Sequence, residues 1–229
     1  MKKKLVLFSG AGISAESGLS TFRDNGGLWD NYDINEVATP EAWYKNPKLV
    51  LDFYNMRREN ALKAQPNLAH KTIADLEKNF EVVVITQNID DLHERSGSKN
   101  VLHLHGEINK VRSTGTDKVY YHGNKQLHLG DLCPDGFQLR PHIVWFGESV
   151  PNLMPAEKIA ESSDFFIVIG TSLNVYPAAG LIHSAPINSI KYLIDPSENI
   201  KISSVKNLIV VNEKATIGLP KVAQILING

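Results

Sequence analysis

Five short runs of apolar, largely β-branched residues, Leu5–Phe8, Val82–Ile85, Phe165–Ile169, Tyr192–Ile194 and Leu208–Val211, show no alternation of polar and apolar side chains. A strand with one wet face alternates, whereas a strand covered on both faces does not, so these runs predict a parallel sheet with helices on either side. Intervening stretches supply the helices: Asn67–Lys78 places Leu68, Ile73 and Leu76 at helical spacing, Ala156–Glu161 reads likewise, and a terminal helix is expected to follow Pro220 through Ile227. The expected class is α/β, a Rossmann-like doubly wound parallel sheet.

Two segments break this rhythm. Residues 25–66 hold no convincing strand but do hold a helical run from Pro47 to about Leu62, and residues 111–140 are rich in Gly, Thr, Asp and His. We expect them to pack together as a smaller helical and irregular lobe, inserted into a large lobe built from about 1–24, 67–110 and 141–229. Composition narrows the partners. With 24 basic against 25 acidic residues the formal net charge is −1, which supplies no field to hold nucleic acid or an anionic membrane. The apolar runs fall far short of the roughly 20 residues of a membrane span, and Met1-Lys2-Lys3-Lys4 leads into Leu5 without a small-residue cleavage site. A soluble, cytoplasmic protein is expected. The oligomeric state is open.

Directly after the first apolar run stands Ser9-Gly10-Ala11-Gly12-Ile13-Ser14-Ala15, a G-x-G-x-x-A pattern at the mouth of a helix. Glycines there allow a tight turn and close backbone approach, and helix N-terminal amides can receive a pyrophosphate. Alone, the pattern also suits a strand-to-helix turn that binds nothing. A dehydrogenase would continue into a second strand ending in an acid. This chain continues instead into a polar loop, Gly18 to Trp29, so hydride transfer is disfavoured and a flap over the ligand is expected. Other polar motifs follow later runs: Thr86-Gln87-Asn88-Ile89-Asp90, then His105-Gly106, then Gly170-Thr171-Ser172-Leu173. Open α/β sheets bind ligands at such strand ends. Asn88 and Asp90 also suit a helix cap, and His105 also suits a structural histidine.

Together with Gly18-Leu19-Ser20-Thr21-Phe22-Arg23 and Leu139-Arg140-Pro141-His142-Ile143-Val144-Trp145-Phe146-Gly147-Glu148, these motifs resemble the sirtuins over essentially the whole chain and in family order. Sirtuins are NAD-dependent protein-lysine deacylases. The resemblance implies a Rossmann-like domain and a small domain, with NAD and acyl-lysine meeting between them. Gly10, Ala11, Gly12, Ser14, Phe22 and Arg23 match the family's NAD loop, and Gln87, Asn88, Ile89 and Asp90 its ribose and nicotinamide pocket. His105 matches the catalytic base. Gly170, Thr171 and Ser172 match phosphate and ribose contacts, Ala215 borders adenine, and Asp195 stands where an Asn is usual. Val144, Trp145, Phe146 and Gly147 match the segment that pairs with the substrate peptide as an added strand.

The chemistry so implied suits the residue types. Asp90 can hold the nicotinamide carboxamide, and His105, with an unperturbed pKa near 6.5, can take a proton from the ribose hydroxyls. The implied products are nicotinamide, free lysine and an acyl-ADP-ribose, with NAD consumed. An ADP-ribosyltransferase or NAD hydrolase using the same pocket is the alternative.

On the helical run after Pro47, Tyr54 and Arg57 stand three residues apart and so share a helix face. A guanidinium and a phenol can grip a carboxylate, which suits a succinyl or malonyl group, although a surface pair on an amphipathic helix is the alternative. Within the resemblance they match the Y-x-x-R of the desuccinylase and demalonylase subgroup, and Arg58 is expected to be a bystander. Family members usually carry two CxxC zinc pairs. Here those regions read Lys110 to Thr116 and Leu132-Cys133-Pro134-Asp135-Gly136, with the chain's one cysteine. His122, His128, Asp131 and Cys133 fit no standard zinc spacing, so no zinc is expected.

Overall fold

The computed structural model describes residues 2–21, 28–29, 32–171, 173, 176–197 and 205–229. Its centre is a six-stranded parallel sheet in the order β11-β10-β9-β1-β4-β5, formed by β1 (Lys4–Ser9), β4 (Glu81–Thr86), β5 (Val101–His103), β9 (Phe165–Ile169), β10 (Ile190–Ile194) and β11 (Leu208–Val211). Leu5 of β1 sits opposite Val82 on one side and Phe165 on the other. The absence of polar alternation is explained by what lies above and below. Leu5 and Leu7 pack into a core with Ile73 and Leu76 of α5 (Leu68–Leu76) and with Leu219 and Val222 of α9 (Ala215–Asn228). Their neighbours Val6 and Phe8 point the other way, into a core with Ala156 and Ala160 of α7 (Leu153–Glu161) and Leu181 and Ile182 of α8 (Leu181–Ser184).

The remaining elements lie over the carboxyl ends of these strands or beside them. They are α1 (Gly12–Ala15), the short pair β2 (Leu28–Trp29) and β3 (Tyr32–Asp33), α2 (Ile34–Val37), α3 (Pro40–Lys45), α4 (Pro47–Lys63), α6 (Leu92–Arg95) and an antiparallel sheet of β6 (Gly106–Ser113), β7 (Val119–Tyr121) and β8 (Leu139–Ile143) in the order β7-β6-β8. Helix α4 forms where expected, because Asn46 caps it by accepting from the Leu49 N–H and Pro47 opens it. Val50, Phe53 and Tyr54 on its inner face join Val37, Ile108 and Trp145 in a separate aromatic-rich core.

Three expectations need correction. The first insertion does contain strand, the β2–β3 pair, and the second is built around the β7-β6-β8 sheet rather than being helical and irregular. Strand β6 runs through the expected boundary at 110/111 and β8 through that at 140/141. These strands alternate between buried and half-buried positions and so lack the continuous apolar run that reveals a central strand. Helix α9 starts at Ala215, with Pro220 inside it. Its first turn is held by the Gly218 N–H donating to the Lys214 carbonyl and by the Glu16 carboxylate, which accepts from the Thr216 N–H and hydroxyl. Ala215 and Leu219 are buried against the sheet, which outweighs the break a proline suggests.

Candidate active site

The glycine loop interlocks with a second loop at the end of β9. A methyl group on Gly12 would lie 2.7 Å from the Gly170 Cα and 2.8 Å from its carbonyl oxygen, and one on Gly10 would lie 2.7 Å from the Thr171 Cβ. Gly170 itself has φ +63°, and its own Cβ would meet the Ile13 nitrogen at 2.3 Å. Both loops must therefore be glycine for the chain to pass this point. The same packing occupies several of the loop's amides. Gly10, Gly12, Ile13 and Ser14 donate to the carbonyls of Ile169, Gly170, Gly10 and Ala11 at 2.8–3.1 Å. Helix α1 is a single turn whose first amides are already bonded.

Beside this loop, the carboxyl end of β4 carries a polar floor. The Ser14 hydroxyl donates to Asp90 Oδ2 at 3.2 Å and accepts from Asn88 Nδ2 at 3.1 Å, while the Leu92 N–H holds Asp90 Oδ1 at 3.2 Å. Asp90 is buried, and burial raises its pKa against the bonds that lower it. His103 bridges the Asn88 carbonyl and Glu94 Oε1, each at 2.8 Å. Burial lowers its pKa, but the bonds to Glu94 and Asn88 together with the charges of Glu94 and Glu107 leave it above the ordinary value. His105 donates from Nδ1 to the Gln87 carbonyl at 3.1 Å, and burial pushes its pKa below the ordinary value.

The far wall comes from α4 and the segment after β8. Tyr54 is fully buried, and its oxygen accepts from the Trp145 indole N–H at 3.1 Å. Burial drives the Tyr54 pKa up, so the phenol keeps its proton. Arg57 is buried with its guanidinium 4.8 Å from the Trp29 ring centre. Trp145 is held from three directions: Glu148 Oε2 accepts its backbone N–H at 2.8 Å, the Arg140 guanidinium lies 3.4 Å over its ring, and the Trp43 ring lies tilted beside it with centroids 5.8 Å apart. Glu148 in turn pairs with Arg140 and Arg112, each at 2.9 Å. Arg58 is not among the cleft-lining residues and is tied into the fold instead. It is buried, donates to the Ile108 carbonyl at 2.9 Å and to Asn55 Oδ1 at 2.8 Å, and burial lowers its pKa to about 10.

One cleft of about 770 Å³ gathers these groups. Ala11, Gly12 and Ser14, residues 87–90, His105, Gly170 and Thr171, Asp195 and Ala215, Tyr54 and Arg57, and residues 144–147 all line it. Gly10 stands behind the wall, and Phe22, Arg23 and Ser172 lie outside the described residues. The cleft fits the expected dinucleotide in an observable way: Gln87 Nε2 is buried on its wall with no acceptor among the described residues. The segment of residues 144–147 is partly committed, since the N–H groups of Val144, Trp145 and Phe146 donate to His105, Glu148 and Ala38. Sequence reasoning missed Glu148, Arg140 and Trp29, whose roles arise from contacts between segments far apart in the chain.

Around the chain's one cysteine, Cys133 Sγ lies 3.4 Å from Ser113 Oγ, and Ser113 accepts from the N–H groups of Gly115 and Thr116 at 3.2 Å. The Phe137 ring packs so closely on Gly115 that a Cβ there would lie 2.3 Å from it. Among the described residues no group of three or more His, Cys, Asp or Glu is placed to hold a metal, and no helix is long and apolar enough to cross a membrane.

A model of the Sir2 family matches residues 10–177. The chain is 50% identical to an NAD-dependent protein deacylase of Bacteroides thetaiotaomicron, covering 98% of each chain. It is 53% identical to an NAD-dependent protein deacylase of Helicobacter pylori, covering 93% of this chain and 91% of that one. A crystal structure of a Sir2 homologue–NAD complex superposes with a TM-score of 0.87 at 38% identity, covering 98% of this chain and 90% of the other.

Proposed function

The chain belongs to the Sir2 family, and we propose that it is an NAD-dependent protein-lysine deacylase preferring acidic acyl groups, succinyl and malonyl. The observation that carries this reading is the composition of one cleft: His105 on one wall and the Tyr54–Arg57 pair on another open into the same space. NAD supplies a ribose to which the acyl group is transferred as nicotinamide is released.

The chain's own residues then have distinct tasks. With Nδ1 bonded to Gln87, His105 presents Nε2 as an acceptor, able to take a proton from a ribose hydroxyl. Asp90, Asn88 and Ser14 hold one another, so they meet a carboxamide or ribose with little rearrangement, and Gln87 Nε2 offers a further donor. Asp195 and Ala215 bound the adenosine end. A substrate backbone adds to residues 144–147 through their carbonyl side, because three of their N–H groups are already used. The Arg57 guanidinium and the Tyr54 hydroxyl receive the acyl carboxylate in a buried place, where a charge-assisted bond is strongest. The Phe137–Gly115 contact and the Ser113–Cys133 bond support folding of the small sheet without zinc.

The test is to incubate the protein with NAD and matched acetyl-, succinyl- and malonyl-lysine peptides and to identify products by mass. NAD-dependent removal with highest kcat/KM on the acidic peptides is expected. Equal NAD consumption with and without peptide would move the assignment to an NAD hydrolase, and preference for acetyl would remove the acidic specificity.

A further inference from the structure

We infer that Trp145 is a specificity-determining positioning residue, which directs the Tyr54 hydroxyl proton toward the acyl carboxylate. The inference rests on the acidic-acyl reading above and adds to it a residue that reaches the ligand through another. An indole N–H only donates, while a phenol both accepts and donates. At 3.1 Å the Trp145 N–H therefore occupies a lone pair of the Tyr54 oxygen and cannot receive the phenol's proton. Tyr54 is fully buried, on the wall of the cleft, and its hydroxyl proton has no acceptor among the described residues. A buried donor left unmade is costly, and the cleft is where an acceptor can arrive.

The arrangement favours an anionic acceptor. Both Arg57 and Arg140 act electrostatically on the Tyr54 oxygen, and the opposing Glu148 carboxylate is already paired with Arg140 and Arg112. Trp145 is also unusually constrained. Its backbone N–H is bound by Glu148, its ring lies beneath Arg140 and beside Trp43, and only 2% of its surface is exposed. Such a ring cannot swing away to let the phenol turn round, so the orientation of the Tyr54 proton is set before any ligand enters.

The experiment is a double-mutant cycle on Trp145→Phe and Tyr54→Phe, reading the ratio of kcat/KM for succinyl-lysine against acetyl-lysine peptides. Trp145→Phe removes the donor but keeps an aromatic ring under Arg140. The ratio should fall roughly three- to tenfold, the loss of one oriented hydrogen bond. In the Tyr54→Phe background, the same change should leave the ratio where it is, because the acceptor is gone. An equal fall in both backgrounds, or none in either, overturns the inference. A second readout does not depend on Trp145→Phe folding. The chain has three tryptophans, so the Trp145 indole N–H resonance can be assigned by elimination with Trp29→Phe and Trp43→Phe, and it should move in Tyr54→Phe. A fixed resonance overturns the inference. Failure of the underlying reading looks different: wild-type protein would show no preference for succinyl, whereas failure of the inference alone leaves that preference intact in Trp145→Phe.

Discussion

His105 Nδ1 lies 3.1 Å from the carbonyl oxygen of Gln87. A carbonyl can only accept, so the proton sits on Nδ1, and the ring is held with Nε2 as the acceptor on the side of the cleft. Residues just past the ends of the paired strands β4 and β5 thus set both the tautomer and the direction of the candidate base. Burial adds the third condition, because it lowers the His105 pKa and keeps the imidazole neutral at physiological pH.

For His105, the acid limb of kcat/KM should therefore fall below the ordinary histidine value of 6.5. The protonated ring cannot accept a proton, so activity is lost as pH falls through the folded-state pKa. His105→Ala should lower kcat by about 10²–10⁴ at an unchanged melting temperature. A folded variant with near wild-type turnover would end the assignment.

Arg57→Met keeps the stem and removes the charge. If the guanidinium grips a carboxylate, kcat/KM on succinyl-lysine should drop by roughly one to two decades and the succinyl-to-acetyl ratio with it. Equal losses on both peptides would make Arg57 structural.

Arg58→Met should behave oppositely. It deletes the bonds to Ile108 and Asn55, and Asn55 itself holds both the N–H and the carbonyl of Leu127. A stability loss of roughly 2–4 kcal/mol by denaturant unfolding is expected, with the acyl ratio preserved. A neutral effect on stability would contradict the structural role drawn here.

Strong chelators should leave both melting temperature and activity unchanged, since one cysteine cannot supply a thiolate cage. Stoichiometric zinc in purified protein, removable only with unfolding, would show otherwise.

Gly170→Ala should be among the most damaging single methyl additions. It combines a positive φ with a 2.3 Å approach to the Ile13 nitrogen, so a loss of about 3 kcal/mol or more is expected, together with weakened NAD binding by calorimetry. Wild-type stability would mean that the two glycine loops can separate freely.

The order of residues along the chain determined the parallel sheet and the strand-end motifs, because both are local. An apolar run without alternation can only be covered on two faces, as Leu5 to Phe8 are. A glycine pattern following such a run can only sit at its mouth. The spacing of Tyr54 and Arg57 likewise placed them on one helical face. Local reasoning failed where a position's meaning depends on a distant partner. Strands β6 and β8 are stabilised by pairing with each other rather than by an apolar run of their own. Helix α9 begins ahead of Pro220 because Ala215 and Leu219 are buried against the sheet and Glu16, two hundred residues before Thr216, holds its first turn. Arg58 is indistinguishable from Arg57 on the page, and only packing turns one toward the cleft and the other toward Ile108 and Asn55. Gln87 sets the tautomer of His105, and Trp145 occupies a lone pair of the Tyr54 oxygen. Hydrogen-bond direction is a property of the assembled pair, and no sequence position contains it alone.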